Sequence, residues 1–243
     1  MKHFLLLKGL LANIALVFLS SCNNDKYMSR KVFLFLAIFF SAMAHAQTFS
    51  IGPAVKGQWS ATKAGYKKFG WSAGVQGEMF FNKEKSGLFV DASVLFDSKK
   101  SESINVGIQN TSYFYKYNSY SINIPVNIGY KLKCSDSFSL FAAAGPYVDF
   151  GLCGKVKKVT DTYAADGYTK TEASKETTVS SNIYKDKVFN RANCGIGFKI
   201  GADLFQHYQI QAGYSLGLTK TFHNGGNHRN RQQTFSVGVA YMF

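Results

Sequence analysis

Long apolar runs are missing from this sequence once its first 46 residues are set aside, and so are most markers of small-domain chemistry. Beyond the leader no apolar stretch reaches the ~18 residues that a membrane-crossing helix requires. Mean hydropathy is −0.08, so the chain does not read as a helical membrane protein. Charged residues make up only 17%, and there are three prolines in 243 residues. None of the four cysteines forms a CxxC pair or stands at metal-ligand spacing from a histidine, which removes the zinc-finger and dithiol readings. Cys22 lies in the leader. Cys153 and Cys194 fall near one end of neighbouring expected strands but at opposite parity, so they and Cys134 read as small apolar fillers rather than a disulfide pair. His223 and His228 flank a glycine-rich turn with no fixed carboxylate partner, and no Ser, His and acidic constellation has the spacing of a nucleophilic site. The glycine runs alternate along strands and do not form a phosphate loop. No catalytic residue, metal ligand or cofactor is expected.

What the chain has in quantity is alternation. From Tyr120 to Leu132 the residues Tyr120, Ile122, Ile124, Val126, Ile128, Tyr130 and Leu132 alternate with Ser121, Asn123, Pro125, Asn127, Gly129 and Lys131. Successive strand side chains point to opposite faces, so this stretch has one apolar and one small or polar face. Seven more segments share the pattern: 48–60, 70–81, 88–97, 138–152, 192–204, 208–218 and 234–243. Connections 82–87, 133–137 and 205–207 are short, whereas 61–69, 98–119, 153–191 and 220–233 are longer and polar. An all-β, eight-stranded antiparallel up-and-down transmembrane barrel has that asymmetry, with short periplasmic turns, long external loops and both termini periplasmic.

A barrel of eight strands has a narrow interior. Eight faces rich in Phe, Tyr, Ile and Trp would overfill it, so the apolar face is expected to meet lipid and the Gly/Ser/Ala face to line the lumen. The lumen then holds a mixed-sign set, Lys56, Glu78, Asp91, Asp97, Lys131, Asp149, Lys199 and Asp203, which burial requires to be paired. A filled structural network is the plain reading of these charges; an ion path is the alternative. Trp59, Trp71, Tyr120, Tyr130, Tyr208, Tyr241 and Phe243 fit interfacial girdles.

The external loops carry Lys63, Lys67, Lys68, Lys99, Lys100, Lys155, Lys157, Lys158, Lys220, Arg229 and Arg231. Ordinary solvated charge is one account of them; clamping the phosphates of a surface glycolipid is the other. Tyr113, Phe114, Tyr115 and Tyr117 either extend strands beyond the membrane or dock a partner. Three functions remain: a surface-binding barrel, a narrow channel, or a membrane enzyme.

The N-terminus bears two export signals. Residues 28–46 have a basic start (Arg30, Lys31), an apolar core from Val32 to Phe40, and Ala44-His45-Ala46 before Gln47, so cleavage is expected between Ala46 and Gln47. Residues 1–27 hold the run Leu10–Leu19, apolar except for Asn13, then Leu19-Ser20-Ser21-Cys22, which resembles a lipoprotein signal. They are read as an over-extended start or such a leader, and residues 47–243 as the barrel domain. Of 28 basic and 14 acidic residues, five and one precede Gln47, which leaves 23 against 13, a net +10. For an exported chain the partner implied is anionic lipid or glycolipid rather than nucleic acid. An envelope protein is the other partner considered.

Tyr120-Ser121-Ile122-Asn123-Ile124-Pro125-Val126, Ala144-Gly145-Pro146-Tyr147-Val148, Gly195-Ile196-Gly197-Phe198-Lys199-Ile200-Gly201-Ala202 and the terminal Tyr241-Met242-Phe243 together resemble the PorT-like outer-membrane β-barrel proteins of Bacteroidota. The resemblance spans about Gln47 to Phe243 and implies a small porin-like outer-membrane barrel, most members of which have no assigned activity. The closing Tyr241 and Phe243 look like the signal read by the barrel assembly machinery during insertion.

Overall fold

The computed structural model describes residues 48–62, 65–103, 106–108, 111–163, 174–221 and 231–243. The expected leader segments and the Ala46/Gln47 cleavage site lie outside these. Ten strands follow in order: β1 (Thr48–Thr62), β2 (Gly65–Phe80), β3 (Gly87–Ser103), β4 (Val106–Ile108), β5 (Thr111–Ser135), β6 (Phe138–Thr162), β7 (Lys175–Ser180), β8 (Ala192–Leu204), β9 (Tyr208–Gly217) and β10 (Gln232–Tyr241). Every pairing is antiparallel, and β1 pairs with both β2 and β10 while β5 pairs with both β3 and β6. The sheet therefore closes on itself as a ring of eight, β1-β2-β3-β5-β6-β8-β9-β10. The small β4 and β7 flank β5 and β6 at one end.

The eight expected segments are the eight ring strands, but several run further than the sequence reading placed them. β5 begins at Thr111 and β6 continues to Thr162, each 25 residues long, so most of the expected loops 98–119 and 153–191 near these strands is sheet. The physical reason is in the residues themselves. Phe114, Lys116 and Asn118 alternate with Tyr113, Tyr115 and Tyr117, continuing the period of two, and Tyr113, Lys116 and Asn118 pair with Thr160, Lys157 and Lys155 across the ladder. The short connections stand as expected. One is the Phe205–Gln206 turn, where both residues take positive φ, 52° and 65°, which suits the twist of a tight hairpin.

Alternation sets the two faces. Outward residues such as Val94 and Val239 (each 56% exposed) and Phe198 (51%) leave a band of apolar side chains around the wall. Such a band is not the ~300–600 Å² patch that a soluble monomer carries, and it suits contact with hydrocarbon. Aromatic side chains in contact border it at each end. Toward the long-connection end Trp59 meets Phe69 and Phe235 at 5.5 and 5.9 Å between ring centres, and Phe96 meets Trp71 and Tyr120 at 5.8 and 5.9 Å. At the short-turn end Tyr241 meets Tyr208 at 5.2 Å and Phe243 at 5.0 Å.

The interior is not only small and polar, which corrects the expectation that all large side chains face out. Phe80, Phe89, Phe141 and Tyr147 are buried at inward parity, in phase with Glu78, Asp91, Ser139 and Asp149 respectively. Three of them stand directly across the ladder from a glycine: Phe89 from Gly129, Phe141 from Gly201, and Tyr147 from Gly195. A Cβ added at those glycines would come within 2.6, 2.4 and 2.6 Å of the facing ring. Each missing side chain is the space a ring occupies, so a narrow barrel admits aromatics when glycine faces them.

Candidate functional site

The lumen charges form three groups, stacked from the short-turn end upward. At the bottom Lys131 donates to Glu78 at 2.7 Å and pairs with Asp203. Its ammonium also lies 4.8, 5.4 and 5.5 Å from the ring centres of Phe80, Phe89 and Phe141, so the rings and the ion pairs together floor the barrel. An amide chain continues from this floor. Gln209 donates to Glu78 at 2.8 Å and to Asp203 at 3.0 Å, Gln76 donates to Gln209 at 2.6 Å, and Gln211 donates to Gln76 at 3.0 Å. In the middle Lys199 donates to Asp91 at 2.7 Å, and Asn127 satisfies the second oxygen of Asp91 at 2.6 Å. Above them Lys99 bridges Asp149 at 2.7 Å and Asp97 at 3.1 Å.

Seven of the eight charges proposed for the lumen are thus in ion pairs, and the eighth, Lys56, lines a cavity beside them. Lys99 corrects the sequence reading, which placed it in an external loop. β3 runs to Ser103, and Lys99 keeps the inward parity of Asp97 two residues earlier, the signal that was available. Burial makes these pairs necessary rather than strongly stabilising, since desolvation offsets much of their attraction.

The long-connection end is partly covered from within. Segment 181–191 turns back over the extended β5–β6 wall, with the Ile183 amide donating to the Gly154 carbonyl at 3.1 Å and the Gly151 amide to that of Arg191 at 2.7 Å. Ile183 and Phe189 pack on Val156, joined by Tyr115, Tyr117, Tyr184 and Val188. Tyr184 rests over Gly151, where an added Cβ would fall 2.2 Å from its ring. Burial pushes its phenol up to about 12.

The basic residues assigned to external loops are mostly strand residues. Lys155, Lys157 and Lys158 lie on β6, a correction that follows from the continued alternation. Lys116 and Lys157 stand opposite each other on the outward face, and Glu176 of β7 pairs with both at 2.7 and 3.1 Å. Those two contacts hold the Glu176 carboxyl below its ordinary value, and Glu176 in turn raises Lys116. Lys158 points to the other face, 4.5 Å from the Tyr113 ring centre. Lys68 is on β2, paired with Glu102 at 3.0 Å, and Arg231 immediately precedes β10. Lys63, the Lys67 side chain, His223, His228 and Arg229 lie outside the described residues.

Cys134 and Cys153 are free and exposed, which corrects their reading as packed fillers. Among the described residues no cluster of His, Cys, Asp or Glu has the makings of a metal site.

Among curated proteins none matches the chain. Solved structures similar to it include three small barrels. Ail, the attachment invasion locus protein of Yersinia pestis, in complex with the heparin analogue sucrose octasulfate, is 15% identical with a TM-score of 0.38, covering 81% of this chain and 100% of that one. Neisserial surface protein A is 12% identical with a TM-score of 0.39, covering 80% and 97%. OprG from Pseudomonas aeruginosa is 11% identical with a TM-score of 0.42, covering 82% and 97%. The family described as outer membrane protein beta-barrel domain matches residues 32–243. With a closed eight-stranded ring, an apolar outer band and a charged interior, the chain belongs to that family and is an outer-membrane β-barrel protein.

Proposed function

We propose that this barrel is a non-enzymatic surface-binding protein of the PorT-like kind, and that its partner is the anionic headgroup layer of the outer leaflet. The observation that carries this is the position of its outward lysines. Tyr120 pairs with Cys153 in the aromatic border, Asn118 pairs with both Lys100 and Lys155 two residues further on, and Lys116 pairs with Lys157 two residues beyond that. At ~3.3 Å per residue along strands tilted by ~40°, these cations stand roughly 5 and 10 Å above the aromatic border, on the side where lipid phosphates meet an interfacial girdle. Lys100, Lys116, Lys155 and Lys157 face outward, and Glu176 is shared by Lys116 and Lys157. In this reading the long-connection end is external, and the short turns and both termini face the periplasm.

The floor of Lys131, Glu78, Asp203 and three phenyl rings argues against the channel reading, because it fills the bore. For the test, protein extracted in mild detergent is assayed for co-purifying glycolipid by native mass spectrometry, beside the variant with Lys100, Lys116, Lys155 and Lys157 all changed to Gln. The parent is expected to retain phosphorylated glycolipid and the quadruple variant to lose at least tenfold of it. Equal retention by both would refute the proposal.

A further inference from the structure

We infer that the barrel interior also holds a binding site for one small monovalent anion, of the size of chloride, nitrate or formate, with the Lys56 ammonium as its principal contact. This site is separate from the outward lysines and does not depend on them. The observation is an imbalance inside the lumen. Lys131, Lys199 and Lys99 each reach a carboxylate at ion-pair distance. Lys56 reaches none among the described residues, although it lines an internal cavity of about 90 Å³. Its strongest electrostatic neighbour is the like-charged Lys199, with Asp91 and Asp97 weaker.

The side chain is held in that position. Lys56 stands directly across the β1–β10 ladder from Gly238, and a Cβ there would come within 2.5 Å of the Lys56 Cγ. Its stem therefore lies over the glycine, and its head belongs to the cavity rather than the rim. Charge across the cavity is uneven. The cavity lining carries Lys56, Lys99 and Lys199 against Asp97, while Asp91 and Asp149, which pair with Lys199 and Lys99, stand outside that lining. An ammonium inside the lumen without a partner is costly, and an anion drawn to Lys56 supplies one. Ser72, Ser236 and Asn123 border the same space with polar groups able to donate to it.

Volume limits what fits. At ~10–15 Å³ per water the cavity holds about six to nine waters, enough for a small anion with part of its hydration and too little for a peptide. The lining climbs through Gln58, Thr234 and Gln232 toward the long-connection end, while the Lys131 floor closes the other. The site is thus a dead end that binds without conducting.

The test begins with the intact protein, purified from membranes and crystallised, then soaked in bromide. An anomalous peak within hydrogen-bond distance of Lys56 Nζ is expected. A cavity holding only water, or bromide found only on surface lysines, overturns the inference without any variant. In solution, chloride-35 line broadening is expected to saturate for the parent and to be competed by nitrate. Lys56→Met should weaken the saturable component at least tenfold and Lys56→Arg should retain it, with folding of each checked by heat-dependent gel migration. Unchanged broadening in a folded Lys56→Met variant also overturns it.

Discussion

Replacing Lys131 with Met tests how the interior is held. Lys131 and Glu78 side chains are 4% and 2% exposed, so solvent screens their interaction little. Removing the cation leaves Glu78 and the less buried Asp203 with Gln209 as their shared remaining donor and takes the charge from between three phenyl rings. Breaking a buried pair by deleting one member typically costs ~3–5 kcal/mol, about two to nearly four decades in the folding equilibrium. The barrel's two tryptophans, Trp59 and Trp71, both lie in the aromatic border, so their fluorescence follows urea unfolding from lipid vesicles. The cost should come mainly from Glu78, the more deeply buried of the two stranded carboxylates. Adding Glu78→Gln to Lys131→Met is therefore expected to recover ~2 kcal/mol or more. The reasoning is refuted if Lys131→Met unfolds within ~1 kcal/mol of the parent, or if the second substitution recovers nothing.

If the Lys131 floor plugs the bore as proposed, planar-bilayer recordings should find the parent silent and the folded triple variant Phe80→Ala, Phe89→Ala, Phe141→Ala should show discrete steps; steps of equal size in the parent would refute the plug. Gly151→Ala should destabilise the barrel by ~1–3 kcal/mol by overpacking against Tyr184 and should cost much less in a Tyr184→Ala background, as read by urea unfolding of the single and double variants. Acid should loosen β7. The Glu176 carboxyl lies below its ordinary value because of Lys116 and Lys157, so its contribution is present above that value and lost as pH falls through the lowered one. Carboxyl and amide NMR shifts of β7 should follow that midpoint in the parent and not in Glu176→Gln.

Sequence and structure divide along a physical line. Parity is local, since a strand turns each side chain by half a revolution, so Asp91, Lys131 and Lys199 could be assigned to one face from their own neighbours. The same rule, carried two residues further, would have put Lys99 inside with Asp97 and run β5 back through the alternating Tyr113 to Tyr117. Polarity in those segments belongs to strand that continues past the apolar band, not to loop. The large rings inside are different in kind. Phe89 fits because Gly129 lies across from it, Phe141 because of Gly201, and Tyr147 because of Gly195; these partners are 40, 60 and 48 positions away, and only the register of a closed ladder brings them together.

Alternation and turn spacing by themselves determined the eight ring strands, their order of connection and which face is apolar, because those features depend on neighbouring residues. Tertiary structure alone decided which lysine meets which carboxylate. Lys131 finds Glu78 53 positions back and Lys199 finds Asp91 108 positions back, while Lys56 finds none among the described residues. Those contacts run across the bore between strands distant in sequence, and only the closure and stagger of the barrel set which side chains meet there.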